Sequence, residues 1–178
     1  KLMLPGGYNE EEVQRFRLEF DILAREHNPG IMRVHATDEK EGRPYIVMEL
    51  LSGRELGAVV ESWKQLPPRE RFARARSVLV SVAKTLEYVH GQGLVHRDVT
   101  PSTIMVLNDG SSRLMDFGVV KEPGADLTSV GEVVGTVAYI APEQINGSRV
   151  DARTDLYSLG AVFYLMLTGK RPFTARTL

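Results

Sequence analysis

The run from Leu156 to Leu167 is apolar almost without a break, interrupted by Ser158. A membrane-spanning helix needs about 20 such residues, so this run is too short to cross a bilayer. It must instead be wrapped by protein on nearly every side, and it predicts a buried helix from about Asp155 to Thr168. A helix of that kind needs other elements packed around it. The 178 residues can supply them, because a chain of about 150 residues or more buries roughly 70% of its unfolded surface. One domain, or one domain and part of another, is the expected organisation. With 43% hydrophobic and 25% charged residues, the chain is not of the disordered class. A formal net charge of −1 argues against a broad electrostatic grip on nucleic acid or an anionic membrane, so neither is expected as a partner of this segment. The absence of cysteine removes disulfides and thiolate metal sites. The chain opens on Lys1 with no basic-then-apolar leader. It is expected to be a cytoplasmic piece of a longer protein, any membrane tether lying outside this segment.

Around the apolar run the pattern is mixed. Asn9 and Glu12 form a capping box, the acids Glu10 to Glu12 suit the positive end of a helix dipole, and Val13, Phe16, Phe20 and Leu23 recur at helical spacing. His27-Asn28-Pro29-Gly30 ends that helix. Strands are expected at Ile31 to Ala36 and Pro44 to Leu50, joined by a polar turn from Asp38 to Gly42. Leu66-Pro67-Pro68 breaks the chain. A helix is expected from Arg74 to His90, closed by Gly91-Gln92-Gly93. Thr103 to Leu107 and Ser112 to Met115 flank Asn108-Asp109-Gly110 and predict a hairpin. Gly118 to Gly135 shows no periodicity, and so long a stretch without structure is usually functional in a compact domain. Strands followed by helices, with a hairpin between them, predict an α+β fold rather than a doubly wound sheet.

The chemistry-bearing residues are His96-Arg97-Asp98, Asp116-Phe117-Gly118 and Ala141-Pro142-Glu143. Each tripeptide alone is weak. Their order and spacing together resemble the signature set of the protein kinases. The resemblance extends to Gly135 through Gln144, which looks like a segment that receives a Ser/Thr peptide, to Asp155 through Gly160, and to Gly169-Lys170-Arg171-Pro172-Phe173. The wording is most similar to the bacterial (Hanks-type) Ser/Thr kinases and covers essentially the whole chain. The resemblance implies a partial, bilobal protein-kinase-like fold: residues 1–51 as an incomplete N-lobe sheet and hinge, and residues 52–178 as the helical C-lobe core. It implies truncation at both ends, from the cleft lysine to just after the central helix.

The resemblance also implies an activity, transfer of the γ-phosphoryl group of ATP to Ser/Thr hydroxyls of protein substrates in signalling, with Mg2+. Because the transition state is loose, the protein contributes mainly positioning and charge. By resemblance Asp98 sits beside the attacking hydroxyl and Asp116 holds magnesium. Lys1 binds the phosphates and pairs with Glu19. Met48 falls at the gatekeeper position, Glu49 and Leu51 at the hinge, and Leu107 or its neighbours at the pocket floor. Arg97 receives a phosphate placed on Thr128 or Ser129. Thr136 contacts the catalytic loop, His96 is structural, and Asp155 hydrogen-bonds the loop backbone. A dimer through the N-lobe of the longer protein is a further expectation.

Two positions depart from the pattern. The Ser/Thr kinases usually carry lysine where Thr100 stands and asparagine where Thr103 stands. Thr100 offers only a hydroxyl to the transferring phosphoryl group, and Thr103 is a shorter metal ligand and loop brace. Loss of one such contact costs on the order of 10²–10³ in rate. The alternative is therefore a pseudokinase, a nucleotide-binding or protein-interaction module with little catalysis. A related small-molecule phosphotransferase is disfavoured by the peptide-platform segment ending in Ala141-Pro142-Glu143.

Overall fold

A computed structural model describes residues 27–40, 43–116 and 137–173, together with Gln14, Arg17, Phe20, Asp21, Leu23 and Ala24, all helical. Among the described residues, the delimited elements are two small antiparallel sheets, four α-helices and two short 3-10 helices, Trp63–Gln65 and Val137–Tyr139. Strands β1 (Val34–Lys40) and β2 (Arg43–Met48) form one sheet. Strands β3 (Gly53–Glu55), β4 (Ile104–Leu107) and β5 (Ser112–Leu114) form the other, in that spatial order. The helices are α1 (Leu56–Ser62), α2 (Pro68–Gly91), α3 (Pro142–Ile145) and α4 (Ala152–Thr168). The α+β class is as the sequence indicates, and no helix among the described residues is long and apolar enough to cross a membrane.

The main core lies between α2 and α4. Val78, Val82 and Leu86 of α2 meet Leu159, Val162 and Met166 of α4, with Leu56, Trp63, Ile104 and Leu114 closing the same cluster. A smaller cluster joins Leu23, Ile31, Val34 and Ile46 to Val89, in the last turn of α2. Helix α4 begins at Ala152, three residues ahead of the expected start, because Asp151 caps it: its carboxylate accepts the Arg153 N–H at 2.9 Å. Gly169, at φ 67°, closes it in the left-handed conformation. The expectation of burial on nearly every side is corrected in part. Leu159, Val162 and Met166 are sealed, but Leu156, Tyr157 and Tyr164 face outward, 54%, 38% and 45% exposed.

Other boundaries move for identifiable reasons. Helix α2 starts at Pro68 rather than Arg74, since proline at a first helical position forfeits no intrahelical hydrogen bond. The strand expected at Ile31 to Ala36 lies at Val34–Lys40. Ile31 and Met32 leave that hairpin and meet Leu114 of β5 instead, Met32 N–H donating to the Leu114 carbonyl at 3.0 Å. Asp38 to Lys40 then pair with β2 although polar, because both faces of that strand end are exposed. The second strand, expected from Pro44 to Leu50, runs from Arg43 to Met48, and Leu50 stands 96% exposed. The β4–β5 hairpin is where it was expected, turning through Gly110 at φ 85°.

Gly53 opens β3 directly against β4. A Cβ there would meet the Val106 carbonyl oxygen and come within 2.8 Å of the Leu107 Cα, both backbone atoms that cannot rotate away. Gly53→Ala is therefore expected to destabilise the intact protein by about 1–3 kcal/mol, as other overpacking changes do. Urea unfolding monitored through Trp63 would measure it, and unchanged stability would mean that β3 shifts without cost.

Candidate active site

The loop from Leu94 to Thr103 connects α2 to β4 and is fastened from beneath by one carboxylate. Asp155, in the first turn of α4, is fully buried. Its Oδ1 accepts the Arg97 N–H at 2.8 Å, and its Oδ2 accepts the His96 N–H and the His90 Nε2–H, each at 2.8 Å. A buried carboxylate is tolerable only when its lone pairs are so occupied. The sequence expectation for Asp155 is met in geometry.

His96 is the second fastener. It is fully buried, and its two ring nitrogens face different partners: Nε2 the Met115 carbonyl at 3.1 Å, Nδ1 the Asp98 N–H at 3.2 Å. That network assigns the neutral tautomer, Nε2 donating and Nδ1 accepting. Burial pulls the imidazole pKa below its usual value, opposed by the charges of Asp155, Asp98 and Asp116. His96 thus ties the loop carrying Asp98 to the residue before Asp116, and both carboxylates lie within electrostatic reach of one ring. Arg97 (φ 67°) and Asp116 (φ 50°) are the non-glycine residues held in the left-handed region among those described. Such conformations persist only where the surroundings enforce them, and here the enforcing contacts are those of Asp155 and His96.

The third motif is attached to the same loop. Gln144 of α3 donates through Nε2 to the Arg97 carbonyl at 2.8 Å, and its Oε1 accepts the Ala141 N–H at 3.2 Å. Glu143 accepts from the Thr154 hydroxyl at 2.6 Å, and Ser158 donates to the Tyr139 carbonyl at 2.7 Å. A cavity of about 410 Å3 opens beside the loop, walled in part by Glu55, Thr100, Pro101, Ser102, Tyr139 and Arg171.

Thr100 and Thr103, the two departures, are both buried. Thr103 Oγ1 donates to the Asp98 carbonyl at 2.7 Å and accepts the Thr100 N–H at 3.0 Å. Thr100 Oγ1 lies 2.9 Å from Ser102 Oγ and 3.3 Å from Thr103 Oγ1. The loop-bracing part of the expected asparagine's work is therefore carried out by Thr103. The same hydroxyl, expected as a weak metal ligand, is engaged here with the loop's own backbone. Among the described residues no group of three or more His, Asp or Glu side chains is arranged to hold a metal ion.

At the expected hinge, Met48 ends β2 and is half-buried against the smaller cluster. Glu49 is stitched to the preceding chain: its N–H donates to the Arg33 carbonyl at 2.9 Å, and its Oε1 accepts the Arg33 N–H at 2.8 Å. Leu51 is half-buried. The Arg97 side chain holds no hydrogen bond or ion pair among the described residues. Lys1, Glu19, Thr128, Ser129 and Thr136 lie outside the described residues. His90 and Gln144 are contributors that sequence reasoning missed. His90 reads there only as the end of a helix, and Gln144 only as the end of the segment from Gly135.

Compared with known proteins, the chain matches the protein kinase domain family over residues 2–177. It is 39% identical over 167 residues to the serine/threonine-protein kinase PknL of Mycobacterium tuberculosis, covering 93% of this chain and 41% of that protein. It is 38% identical over 174 residues to the probable serine/threonine-protein kinase PknB of Bifidobacterium longum, covering 91% of this chain and 25% of that protein. The crystal structure of the PknI kinase domain of Mycobacterium tuberculosis matches with a TM-score of 0.70 at 29% identity, covering 93% of this chain and 59% of that one. The chain spans less than half the length of these curated relatives.

The neutral His96 carries a pH dependence whose sign follows from its environment. Unfolded, the ring takes a proton near pH 6.5; folded, it does so only at lower pH. Between those values the unfolded state binds more protons, so stability rises with pH and is lost as pH falls. Urea unfolding of the intact protein is expected to weaken below pH 6.5, by at most about 1.4 kcal/mol per pH unit for this one proton. His96→Gln, which cannot be protonated there, should show a shallower decline. An equal decline in both would place the titration elsewhere.

Proposed function

This chain belongs to the protein kinase domain family, and from that premise we propose that it is the catalytic portion of an ATP- and Mg2+-dependent Ser/Thr protein kinase. The observation that carries the reading is the fastening of Asp98 and Asp116 to one buried centre: Asp98 through its N–H to His96, and Asp116 through its neighbour Met115 to the same ring. Two half-buried carboxylates positioned about one buried ring are what phosphoryl transfer asks of a protein. Residues 1–51 would form the N-lobe part with the hinge, and residues 52–178 the C-lobe part.

In this reading Asp98 accepts the proton of the acceptor Ser or Thr hydroxyl as that oxygen bonds to the γ-phosphorus, and ADP departs with the bridging oxygen. Asp116 is a hard oxygen donor suited to magnesium and would hold the ion, which would offset the charge of the phosphates. Lys1, held by Glu19, would bind the phosphates, and Met48, Glu49 and Leu51 would border the adenine. Arg97, whose guanidinium is uncommitted among the described residues, suits a phosphate carried on Thr128 or Ser129. Thr136 would line the approach of the protein substrate. The names of the relatives favour catalysis over the pseudokinase alternative, which has no support among them. A dimer through the N-lobe and a tether beyond this segment are proposals of the same kind.

The test uses the intact protein with γ-labelled ATP, magnesium and a generic Ser/Thr substrate. Asp98→Asn is expected to lower phosphate incorporation by about 10²–10⁴-fold. Nucleotide binding without incorporation by the wild type would refute the enzyme reading. Thr103 lies beside Asp116 in the fold, since the Met115 N–H donates to its carbonyl at 2.8 Å. Thr103→Asn, which extends an amide oxygen further toward the phosphates, is expected to strengthen magnesium-dependent nucleotide binding. Calorimetric titration showing unchanged affinity would count against a metal held by Asp116.

A further inference from the structure

A second cavity, of about 340 Å3, lies at the turn end of the β4–β5 hairpin, away from Asp98 and Asp116. It shares no lining residue with the cavity beside the catalytic loop. Its walls are shared between apolar and polar residues: Val59 of α1, Trp63 just beyond it, Val78 of α2, and Val106 and Leu107 of β4 supply the apolar part, and Ser62, Ser77 and Asn108 add uncharged polar groups. The charged residues on its lining are both arginines, Arg54 of β3 and Arg74 of α2. Arg74 pairs through Nη2 with Glu70 at 2.7 Å, which leaves its other guanidinium donors for a ligand. The exposed Arg54 side chain holds no hydrogen bond or ion pair among the described residues.

The strand register adds an independent observation. Arg54 faces Val106, and Val106 faces Ser112, so the three form one row across β3, β4 and β5. Residues directly opposite in antiparallel strands project from the same face. Val106 of this row lines the cavity, and Ser112 is 3% exposed with a hydroxyl that has no hydrogen-bond partner among the described residues. Buried hydroxyls are ordinarily satisfied, so an orphaned one on a cavity's own sheet face marks a place built for more than packing.

We propose that this cavity binds a small organic anion, a carboxylate or phosphate monoester carried on a compact apolar group. The apolar body sits against Val59, Trp63, Val78 and Val106, and the head group meets Arg54 and Arg74. A pocket of this size that sets an apolar wall beside convergent polar groups has the elements of a small-molecule site. Arginine supplies the paired donors that match carboxylate and phosphate oxygens. A neutral ligand would leave both guanidinium groups unused, and a cationic one would be repelled. The site does not depend on the kinase assignment, because its ligand neither competes for the catalytic loop nor takes part in phosphoryl transfer.

Calorimetric titration of the intact protein, saturated with ADP, tests this with phenyl phosphate, benzoate, inorganic phosphate and benzyl alcohol as probes. At least one of the two aromatic anions is expected to bind once per chain, more tightly than either inorganic phosphate or benzyl alcohol. The tighter of the two identifies the head group. Arg54→Ala is expected to weaken that binding by about tenfold, the worth of one charge-assisted contact. Asn108→Asp, which places a carboxylate on the cavity lining, should weaken it as well. Arg54 and Asn108 are both exposed, so neither change disturbs the core, and thermal melting verifies folding. Four results would each overturn the proposal: binding of neither anion, displacement by ADP, equal affinity for benzyl alcohol or inorganic phosphate, or affinity unchanged in both variants.

Discussion

Everything at the candidate site hangs from the buried carboxylate of Asp155. It is wholly removed from solvent, and it is held there by hydrogen bonds from His90, His96 and Arg97. Hydrogen bonds to a charged group contribute about 1.5–3 kcal/mol each, and leaving a buried charge unpaired costs more than that. The carboxylate therefore cannot be buried without the loop, and the loop cannot take its path without the carboxylate. Helix α4 supplies the anchor because its own burial against α2 is apolar, with Val99 of the loop packed into the same cluster. The sequence of causes runs from an apolar stripe to a rigid helix, from the helix to a fixed acid, and from the acid to a loop.

The two left-handed residues follow from that arrangement. Arg97 must turn so that its N–H and that of His96 both point down at Asp155, and φ 67° is the conformation in which they do. Its carbonyl is then free on the other side, where Gln144 takes it up. Asp116 turns at φ 50° immediately after Met115 has given its carbonyl to His96. In both places backbone strain is stored where a side chain is to be aimed, and the neighbouring hydrogen bonds offset it.

The legibility of the sequence varied with the range of the interaction that decides each feature. The hairpin from Ile104 to Leu114 and the end of α2 were readable because Asn108-Asp109-Gly110 and Gly91-Gln92-Gly93 act locally. The start of α2 was misplaced because Pro67-Pro68 breaks a chain and opens a helix with equal ease. Ile31 was assigned to the wrong strand pairing because its partner, Leu114, is far away in sequence. Helix α1 was not anticipated: its buried Leu56, Val59 and Val60 span little more than one turn, too short for a period to declare itself. At the site, the resemblance named Asp98, Asp116, His96 and Asp155. It did not name His90 or Gln144, whose contributions exist only through contacts with residues 65 and 47 positions away.

Thr100 and Thr103 show how a loop of this kind can keep its shape while changing its charge. With lysine and asparagine at these positions, long polar side chains would reach out toward a substrate. Here two short hydroxyls turn inward instead: Thr103 ties the Asp98 carbonyl to the Thr100 N–H, and Thr100 closes on Ser102. Threonine is suited to this because its branched Cβ restricts χ1, so a hydroxyl once bonded stays put at little entropic cost. The loop thus has an internal brace, and the backbone of Asp98 is held by Thr103 on its carbonyl and His96 on its N–H. What the brace does not supply is positive charge beside the acceptor. Arg171, which follows α4, lines the same cavity as Thr100 and hydrogen-bonds the Tyr139 side chain. The two threonine hydroxyls hold the shape of the loop, and the positive charge on its cavity comes from a separate part of the chain.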